Sequence, residues 1–430
     1  MVTFRAATAA DFDDVNRLIQ RSFLNDDGGR EWDEERALFE PERAVLAVDG
    51  DRVVGHVGTY TRELSVPGGV LPAGFVTAVA VAGTHRRRGL ASTMLTRQLT
   101  DIRERGEALA VLWASEGGIY GRYGYGMASR RLSFEIDRRE ARLDGAKFDK
   151  ARLDGLSLLA GPAADFRSEI GIVYEQQRPL RPGFASRDAR WWDYRLADQA
   201  WHRGGAGPIQ AVLCRDGDTV LGYALYRFRS QWNDSGPNGQ VSVMETVAVT
   251  PAAYTALWEF LLNVDLTRTV GLWLGAVDEP LQYLTNDPRR LGMRLGDGLW
   301  VRLVDIPAAL SARRYPVDVD VVLEITDDLL PDSGGVFRLR GNPDTATCEP
   351  TTDTPHLRLD TATLSALYLG GNTLGALSAA GRVEELHPGA LTTTDPALSW
   401  PRAPHGLEIS PPHPPPPPHP PPPPPPPPPP

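Results

Sequence analysis

The chain of 430 residues is poor in the residues that build metal and disulfide sites. Its two cysteines, Cys214 and Cys348, lie far apart, and its eight histidines form no ligand-like cluster, so we predict no metal and a reduced, cytoplasmic setting. No apolar run is as long as a membrane span, and the acidic N-terminal segment has no apolar core, so neither a membrane anchor nor a signal peptide is predicted. The net charge of −10 disfavours nucleic acid as a partner.

The composition, with 41% hydrophobic and 23% charged residues, is typical of a globular protein. The length predicts two or three domains. Residues 49–55 and 79–83 are echoed by residues 216–222 and 247–251, at offsets of 167 and 168, which indicates a duplicated domain. We predict units at 1–145, 146–304 and 305–410, followed by a proline tail at 411–430. Strands at Arg131–Ile136 and Trp300–Val304 are expected to close the first and second units.

One stretch of the first unit has the pattern of an anion-binding site. An apolar strand, Phe75–Val81, leads through a turn into three arginines and a glycine, and then into a helix from Ser92 to Arg105. Amides at a helix N-terminus favour negative charge, and Gly89 lets the backbone approach a ligand. A pyrophosphate suits this arrangement, while a solvated basic loop is the alternative. The echo after Pro251 has neither arginines nor glycine, so we predict one cofactor site per chain.

A second unusual stretch is the loop Gly117–Gly126, which contains five glycines and three tyrosines. So many glycines permit tight backbone turns that can place a tyrosine hydroxyl at a reacting group. For Tyr123 and Tyr125 we expect positions in a surface loop. For Tyr120, core packing and a role as proton donor both remain open on composition alone.

These stretches resemble known acetyltransferases. Residues 79–92 resemble the acetyl-CoA motif of the GNAT family, V-x-V-x-P-x-x-R-x-x-G-x-A, with Gly83 in place of the usual proline. Residues 115–126 resemble more specifically the signature of the enhanced intracellular survival (Eis) family. The likeness extends to residues 298–300, 306–310 and 367–371. It implies an α/β (α+β) fold with tandem GNAT-like domains, the second degenerate, followed by a domain like sterol carrier protein.

The resemblance also implies site residues and partners. Tyr120 is expected to donate the proton to the departing thiolate. Acetyl-CoA is the expected acetyl donor, and its contacts are implied to be Val79, Ala80, Val81, Arg87, Arg88, Gly89, Leu90, Ala91, Ser92, Ser115 and Glu116. Acceptors of the family are amines of aminoglycosides, polyamines or protein lysines, and its members are typically homohexamers.

The catalytic base is left open by the sequence. The resemblance implies that the carboxylate at the chain end is the base, and residues 403–410 resemble that end, near Ile409 or Ser410. The chain instead continues into residues 411–430, a tail expected to form polyproline II or to be disordered and functionally incidental. Tail removal, water or an acidic side chain can restore a base, with Glu408, Asp26 and Asp27 as candidates. Phe23, Trp32 and the two aspartates would suit a polycationic amine.

Two other classes of function are compatible with parts of the sequence. A non-catalytic acetyl-CoA-binding or scaffold protein could use the proline tail to recruit a partner. A lipid-handling protein could use the last domain, although no long apolar stripe supports this alternative.

Overall fold

The computed structural model describes residues 1–24, 32–146, 148 and 153–408, with residues 201 and 202 described by their backbone alone. The described residues form three main sheets with helices packed on them. Asp26, Asp27, Ile409, Ser410 and the tail at 411–430, which the sequence analysis singled out, lie outside these residues.

Seven described strands form the first sheet, which is mixed. In spatial order they are β1 (Val2–Ala6), β2 (Val45–Asp49), β3 (Arg52–Val66), β4 (Gly69–Val81), β5 (Leu109–Trp113), β16 (Leu299–Leu303) and β6 (Gly126–Met127). Helices α1 (Phe12–Ser22) and α2 (Asp33–Leu38) cover one face, and α3 (Leu90–Glu104) covers the other. Alternate strand residues pack in opposite directions: Leu46 packs against α1, whereas Ala47 packs against α3.

The second sheet repeats this design with seven described strands. In spatial order they are β15 (Arg294–Asp297), β7 (Arg130–Asp137), β14 (Thr267–Gly275), β13 (Gly239–Ala248), β10 (Thr219–Arg229), β9 (Gln210–Asp216) and β8 (Leu156–Pro162). Its helices are α4 (Arg167–Gln177), α5 (Ala189–Leu196), α6 (Pro251–Leu262) and α7 (Leu281–Leu284). A small hairpin, β11 (Trp232–Asn233) with β12 (Gly236–Pro237), extends from β10.

The first two units exchange strands, which corrects two of our predictions. The strand expected at Arg131–Ile136 exists as β7, but it pairs with β14 and β15 in the second sheet. The strand expected at Trp300–Val304 exists as β16, but it pairs with β5 and β6 in the first sheet. Sequence patterns show where a strand forms but not which neighbour completes its hydrogen bonds.

Five described strands form the third sheet, which lies next to the first. They are β19 (Ala346–Pro350), β18 (Gly335–Gly341), β17 (Val319–Thr326), β20 (Leu357–Asp360) and β21 (Val383–Glu385). Helices α8 (Ile306–Ala312), α9 (Thr361–Leu367), α10 (Leu374–Ala379) and α11 (Ala390–Leu398) surround them. One apolar core runs from β5 and β16 into β17 and α9, and the buried pair Arg302–Asp327, 2.6 Å apart, lies beside it.

The last described residues return to the first two units. Residues 404–407 are buried, and the amide of His405 donates to the carbonyl of Pro182 at 2.8 Å. The final described side chain, Glu408, accepts hydrogen bonds from Arg62 of β3 and from Arg187 just before α5. Residues 404–408 are therefore held between the first and second sheets.

Candidate functional site

The site is built where β4 and β5 separate. These parallel strands pair only from Ala73 to Phe75 on the β4 side, and beyond that point β4 continues to Val81. The backbone edge of residues 76–81 that faces β5 is therefore not paired with it. An unpaired strand edge offers amide and carbonyl groups to an extended ligand.

A β-bulge distorts β4 within this segment. Gly55 and His56 pair with Val81 and Ala80, whereas Gly58 pairs with Thr77, so β4 carries one extra residue. Ala78 has a φ of 51°, a left-handed conformation that is rare outside glycine. The ring Nδ1 of His56 lies 2.8 Å from the carbonyl oxygen of Ala78 and fixes the bulge from the neighbouring strand.

The turn after β4 presents backbone amides to solvent. Arg87 and Gly89 both have left-handed backbones, with φ of 62° and 77°, and Gly89 is the N-cap of α3 without a side-chain cap. The first amides of a helix have no acceptor within it, and the helix dipole favours an anion there. A Cβ on Gly89 would meet no atom within 4 Å, so the space above the turn is open. We name residues 86–92 the amide cradle.

Electrostatics reinforce the amide cradle. The side chains of Arg86, Arg87 and Arg88 are exposed and form no ion pair with any residue that the structure describes. Their charge is available for a phosphate group, to which guanidinium groups bind strongly. The cradle therefore has the geometry and charge for a pyrophosphate.

The other predicted donor contacts lie around the same gap. Val79 and Val81 are half-buried on the α3 face, while Ala80 is buried against the α1 side. Ser115 and Glu116 are exposed just after the end of β5. The structure thus brings together the end of β4, the start of α3 and the loop after β5.

Tyr120 lies at the base of this arrangement, in a short helical turn after β5. Its side chain is only 6% exposed and packs in the same core as Val57, Val76 and α3. Burial raises the pKa of Tyr120 to about 12, although a hydrogen bond with Ser115 acts in the opposite direction. The phenol therefore keeps its proton at neutral pH and can donate it.

The neighbouring tyrosines correct a prediction. Tyr123 and Tyr125 are buried rather than in a surface loop. The hydroxyl of Tyr123 lies 3.0 Å from Oγ of Ser92, which ties the turn to the amide cradle. The Tyr125 ring packs edge-on against Tyr120, with ring centroids 5.9 Å apart. These contacts fix the turn that carries Tyr120. The glycine-rich composition of residues 117–126 had instead favoured a surface loop.

A cleft lies on the opposite face of the first sheet, between α1, α2 and the bulge. Apolar side chains of α1 form one wall, and the bulge residues Thr77 and Ala78 form another. The titratable residues of its lining are Glu35, Glu40, His56 and Tyr60. None of these four was predicted, because nothing in their spacing shows that α2 and β3 share one cleft.

Two residues expected near the acceptor, Phe23 and Trp32, flank this region of the chain. Phe23 packs at the edge of the core between α1 and β4, and Trp32 is half-buried just before α2. They lie next to the ends of the two helices that bound the cleft, but neither belongs to its lining.

Glu408, a candidate base, is not a free carboxylate. It lines a second, smaller pocket together with Phe75 and Val111, the last paired residues of β4 and β5. Burial alone would favour protonation, but Arg62 and Arg187 outweigh it and lower the pKa of Glu408. A carboxylate held by two arginines is a poor proton acceptor.

The second unit lacks these features at its equivalent position. The side chain of Thr250 caps α6 by accepting from the amide of Ala253 at 3.1 Å, so the helix start is already occupied. Where β13 leaves β14, the buried Glu245 accepts from Arg187 at 2.8 and 2.9 Å. Burial opposes its ionisation, yet Arg187 lowers the pKa of Glu245 to about 2. An ion-pair network therefore fills this gap.

Further observations concern the other predicted partners. Among the described residues, no group of three or more histidine, cysteine or acidic side chains could hold a metal ion. Cys214 and Cys348 are buried and free. Within the described part of the chain, every helix is too short or too polar to cross a bilayer.

Comparison with known families agrees with this geometry. Residues 3–128 and residues 183–303 match two models that are both described as an acetyltransferase (GNAT) domain. Residues 306–406 match a sterol carrier protein domain. These matches confirm the predicted fold class: two GNAT domains precede a domain like sterol carrier protein. The fold and the site thus define a GNAT acetyltransferase.

Full-length relatives narrow the class. The chain is 43% identical over 389 residues to an uncharacterized N-acetyltransferase of Streptomyces avermitilis, covering 88% of this chain and 94% of that protein. It is 35% identical to N-acetyltransferase Eis of Mycobacterium tuberculosis, covering 93% and 97%. The crystal structure of Eis1 from Mycobacterium abscessus has a TM-score of 0.79 and 32% identity, covering 95% of this chain and all of that one. The chain belongs to the Eis family of GNAT N-acetyltransferases.

Membership in this family shows the class of enzyme. The chain is an N-acetyltransferase with acetyl-CoA as donor.

Proposed function

We propose that this enzyme transfers acetyl from acetyl-CoA to a primary amine by direct attack, with Tyr120 as general acid. The observation that carries the proposal is the gap between β4 and β5, with the amide cradle at one end and the protonated phenol of Tyr120 at its base. The cradle would hold the pyrophosphate through its amides and arginines. The free edge of residues 76–81 would pair with the extended arm that leads to the thioester.

The residues of the first unit divide the chemistry between the two faces of the sheet. The cleft would admit the amine on the α1 and α2 side. Tyr120 packs on the α3 side, where its hydroxyl would give its proton to the departing sulfur. General acid catalysis of this kind typically contributes about 10²–10⁴ in rate.

We further propose that the acceptors are aminoglycosides, polyamines or lysine side chains, and that the chain assembles as a homohexamer in the cytoplasm. Two observations support a cationic acceptor: the cleft carries Glu35 and Glu40, and the chain has a net charge of −10. We also propose that the three domains span residues 1–145, 146–304 and 305–410.

The proposal is tested by following thiol release from acetyl-CoA with neomycin, spermidine and a lysine peptide. Wild-type enzyme should release thiol with at least one of these amines. Tyr120→Phe should lower kcat by about 10²–10⁴ and leave the Kd for acetyl-CoA almost unchanged, because the phenol acts on the leaving group. Tyr283→Phe, which alters an exposed tyrosine of the second unit, is the control and should behave as wild type. Wild-type turnover by Tyr120→Phe would remove Tyr120 from the mechanism.

A further inference from the structure

We propose that Glu35 of α2 is the general base that takes the proton from the acceptor amine. This inference rests on the proposed function, because it assigns one step of acetyl transfer at the same site. Glu35 is neither part of the acetyl-CoA motif at residues 79–92 nor the chain-end carboxylate that the resemblance implied as base.

The position of Glu35 in the acceptor cleft supports a role as base. The cleft has Glu35 on one wall and the bulge residues Thr77 and Ala78 on another. Strand alternation places His56 and Tyr60 of β3 on this face, and Val57, which packs in the Tyr120 core, on the other. An amine that attacks from the cleft therefore meets its base on one face, and the sulfur departs towards Tyr120 on the other.

Glu40 and His56, two other titratable groups of the cleft, already have hydrogen-bond partners. Glu40 accepts hydrogen bonds from the amide and the hydroxyl of Thr61, at 2.9 and 2.6 Å. His56 has Nδ1 on the Ala78 carbonyl, and burial lowers the pKa of its ring to about 4, which makes it a weak base. Its buried Nε2 has no partner among the described residues, so it can accept a hydrogen bond from the amine.

Glu35 differs from these groups. Within the described part of the chain, no side chain forms an ion pair or hydrogen bond with its carboxylate. Burial raises the pKa of Glu35 to about 7, and the charges of Glu34 and Asp33 on the same helix add to the effect. A base with a pKa near the working pH is the most effective kind.

Every element packed around Glu35 contributes groups that affect its charge. Tyr60 and His56 face it from β3, Tyr194 from α5, and Glu40 from the segment after α2. Burial raises the pKa of both tyrosines, so they stay neutral with Glu35, and His56 is neutral above pH 4 or so. A cationic amine is therefore the group that best compensates an ionised Glu35.

The proton balance of the reaction closes with these two residues. An ammonium group gives one proton to the Glu35 carboxylate, which later releases it to solvent. The free amine then forms the C–N bond as the C–S bond breaks, and the Tyr120 hydroxyl gives its proton to sulfur. The extra proton of the new amide nitrogen returns to the Tyr120 phenolate. The sum is an N-acetylated amine, free CoA thiol and one proton.

The test is the pH dependence of kcat/KM for Glu35→Gln, measured by thiol release with spermidine. Glu42→Gln is the matched control, because it makes the same change at an exposed side chain in the short turn that follows α2. Wild type and control should lose kcat/KM as the pH falls through about 7. Glu35→Gln should lose this limb and about 100-fold or more in rate, with an unchanged Kd for acetyl-CoA.

A second acceptor separates catalysis from structure. With an amine whose own pKa lies below the assay pH, no proton needs to be removed before attack, so the loss in Glu35→Gln should shrink markedly. An equal loss for both amines, or a wild-type limb in Glu35→Gln, would overturn the role of Glu35 as base. If wild-type enzyme releases no thiol with any amine, the proposed function fails, whatever Glu35 does.

Discussion

The backbone conformation of Gly89 leads to the most specific prediction about acetyl-CoA binding. Gly89 has a φ of 77° and caps α3, and Gly106, just after the other end of α3, has a φ of 76°. A Cβ on either glycine would meet no atom within 4 Å. Gly89→Ala and Gly106→Ala therefore introduce the same conformational strain without a clash, one in the amide cradle and one outside it.

The magnitude follows from the cost of a left-handed backbone. For a residue with a Cβ this cost is about 1–2 kcal/mol. Each variant should lose up to that amount of unfolding free energy, unless its exposed turn relaxes. In Gly89→Ala, relaxation turns the amides away from the pyrophosphate, so the cost is incurred on binding. Since 1.4 kcal/mol corresponds to a tenfold change, we expect the Kd for acetyl-CoA to rise about 5-fold to 30-fold.

Calorimetric titration with acetyl-CoA and urea unfolding together check this reasoning. Gly106→Ala should be destabilised by up to about 1–2 kcal/mol and should bind acetyl-CoA as wild type does. If Gly89→Ala keeps wild-type affinity while Gly106→Ala is destabilised, the left-handed cap is not needed for binding, and the argument for the amide cradle fails.

Two further predictions concern the number of acetyl-CoA sites and the ion pairs of Glu408. We expect one acetyl-CoA per chain in calorimetric titration, because Thr250 caps α6 and Glu245 fills the second gap; two equivalent sites would contradict this. Glu408→Gln should cost about 3–5 kcal/mol of unfolding free energy, because Arg62 and Arg187 lose their shared partner, whereas Glu384→Gln, in an exposed pair, should cost under about 1 kcal/mol. Because the pKa of Glu408 is lowered in the folded state, its contribution is present above the ordinary carboxyl pKa and is lost as the pH falls towards the lowered value; a Glu408→Gln variant with the same acid unfolding profile as wild type would refute this.

Local features of the fold could be read from the sequence. The strand and the helix expected on either side of the arginine turn are observed as β4 and α3. These features depend on residues close together in the chain, where caps, turns and hydrophobic spacing act directly.

The acceptor side of the site could not be predicted in the same way. Glu35 gains its raised pKa from burial, and burial depends on how α2 packs against β3 and α5. The fate of Glu408 likewise depends on Arg62 and Arg187, which are more than 200 positions away in the chain. Such long-range contacts leave no local signal in one sequence. The sequence could therefore indicate Glu408 as an acid but not its two arginine partners, and it could not indicate Glu35.

The exchanged strands give the second GNAT unit a structural role, although its equivalent position has no free amide cradle. Strand β16 completes the first sheet beside β5, and β7 leaves that sheet to join the second. Arg187 of the second unit bonds both Glu245, within its own gap, and Glu408, beside the gap of the first. The second unit therefore fixes the edge of the first sheet through β16. It also holds residues 404–408 in place through the buried ion pairs of Arg187. A substitution that breaks the ion pairs of Arg187 should therefore change the rate of acetyl transfer, although Arg187 lies outside the predicted acetyl-CoA contacts. The reason is that β5, which pairs with β16, leads through its loop to Tyr120.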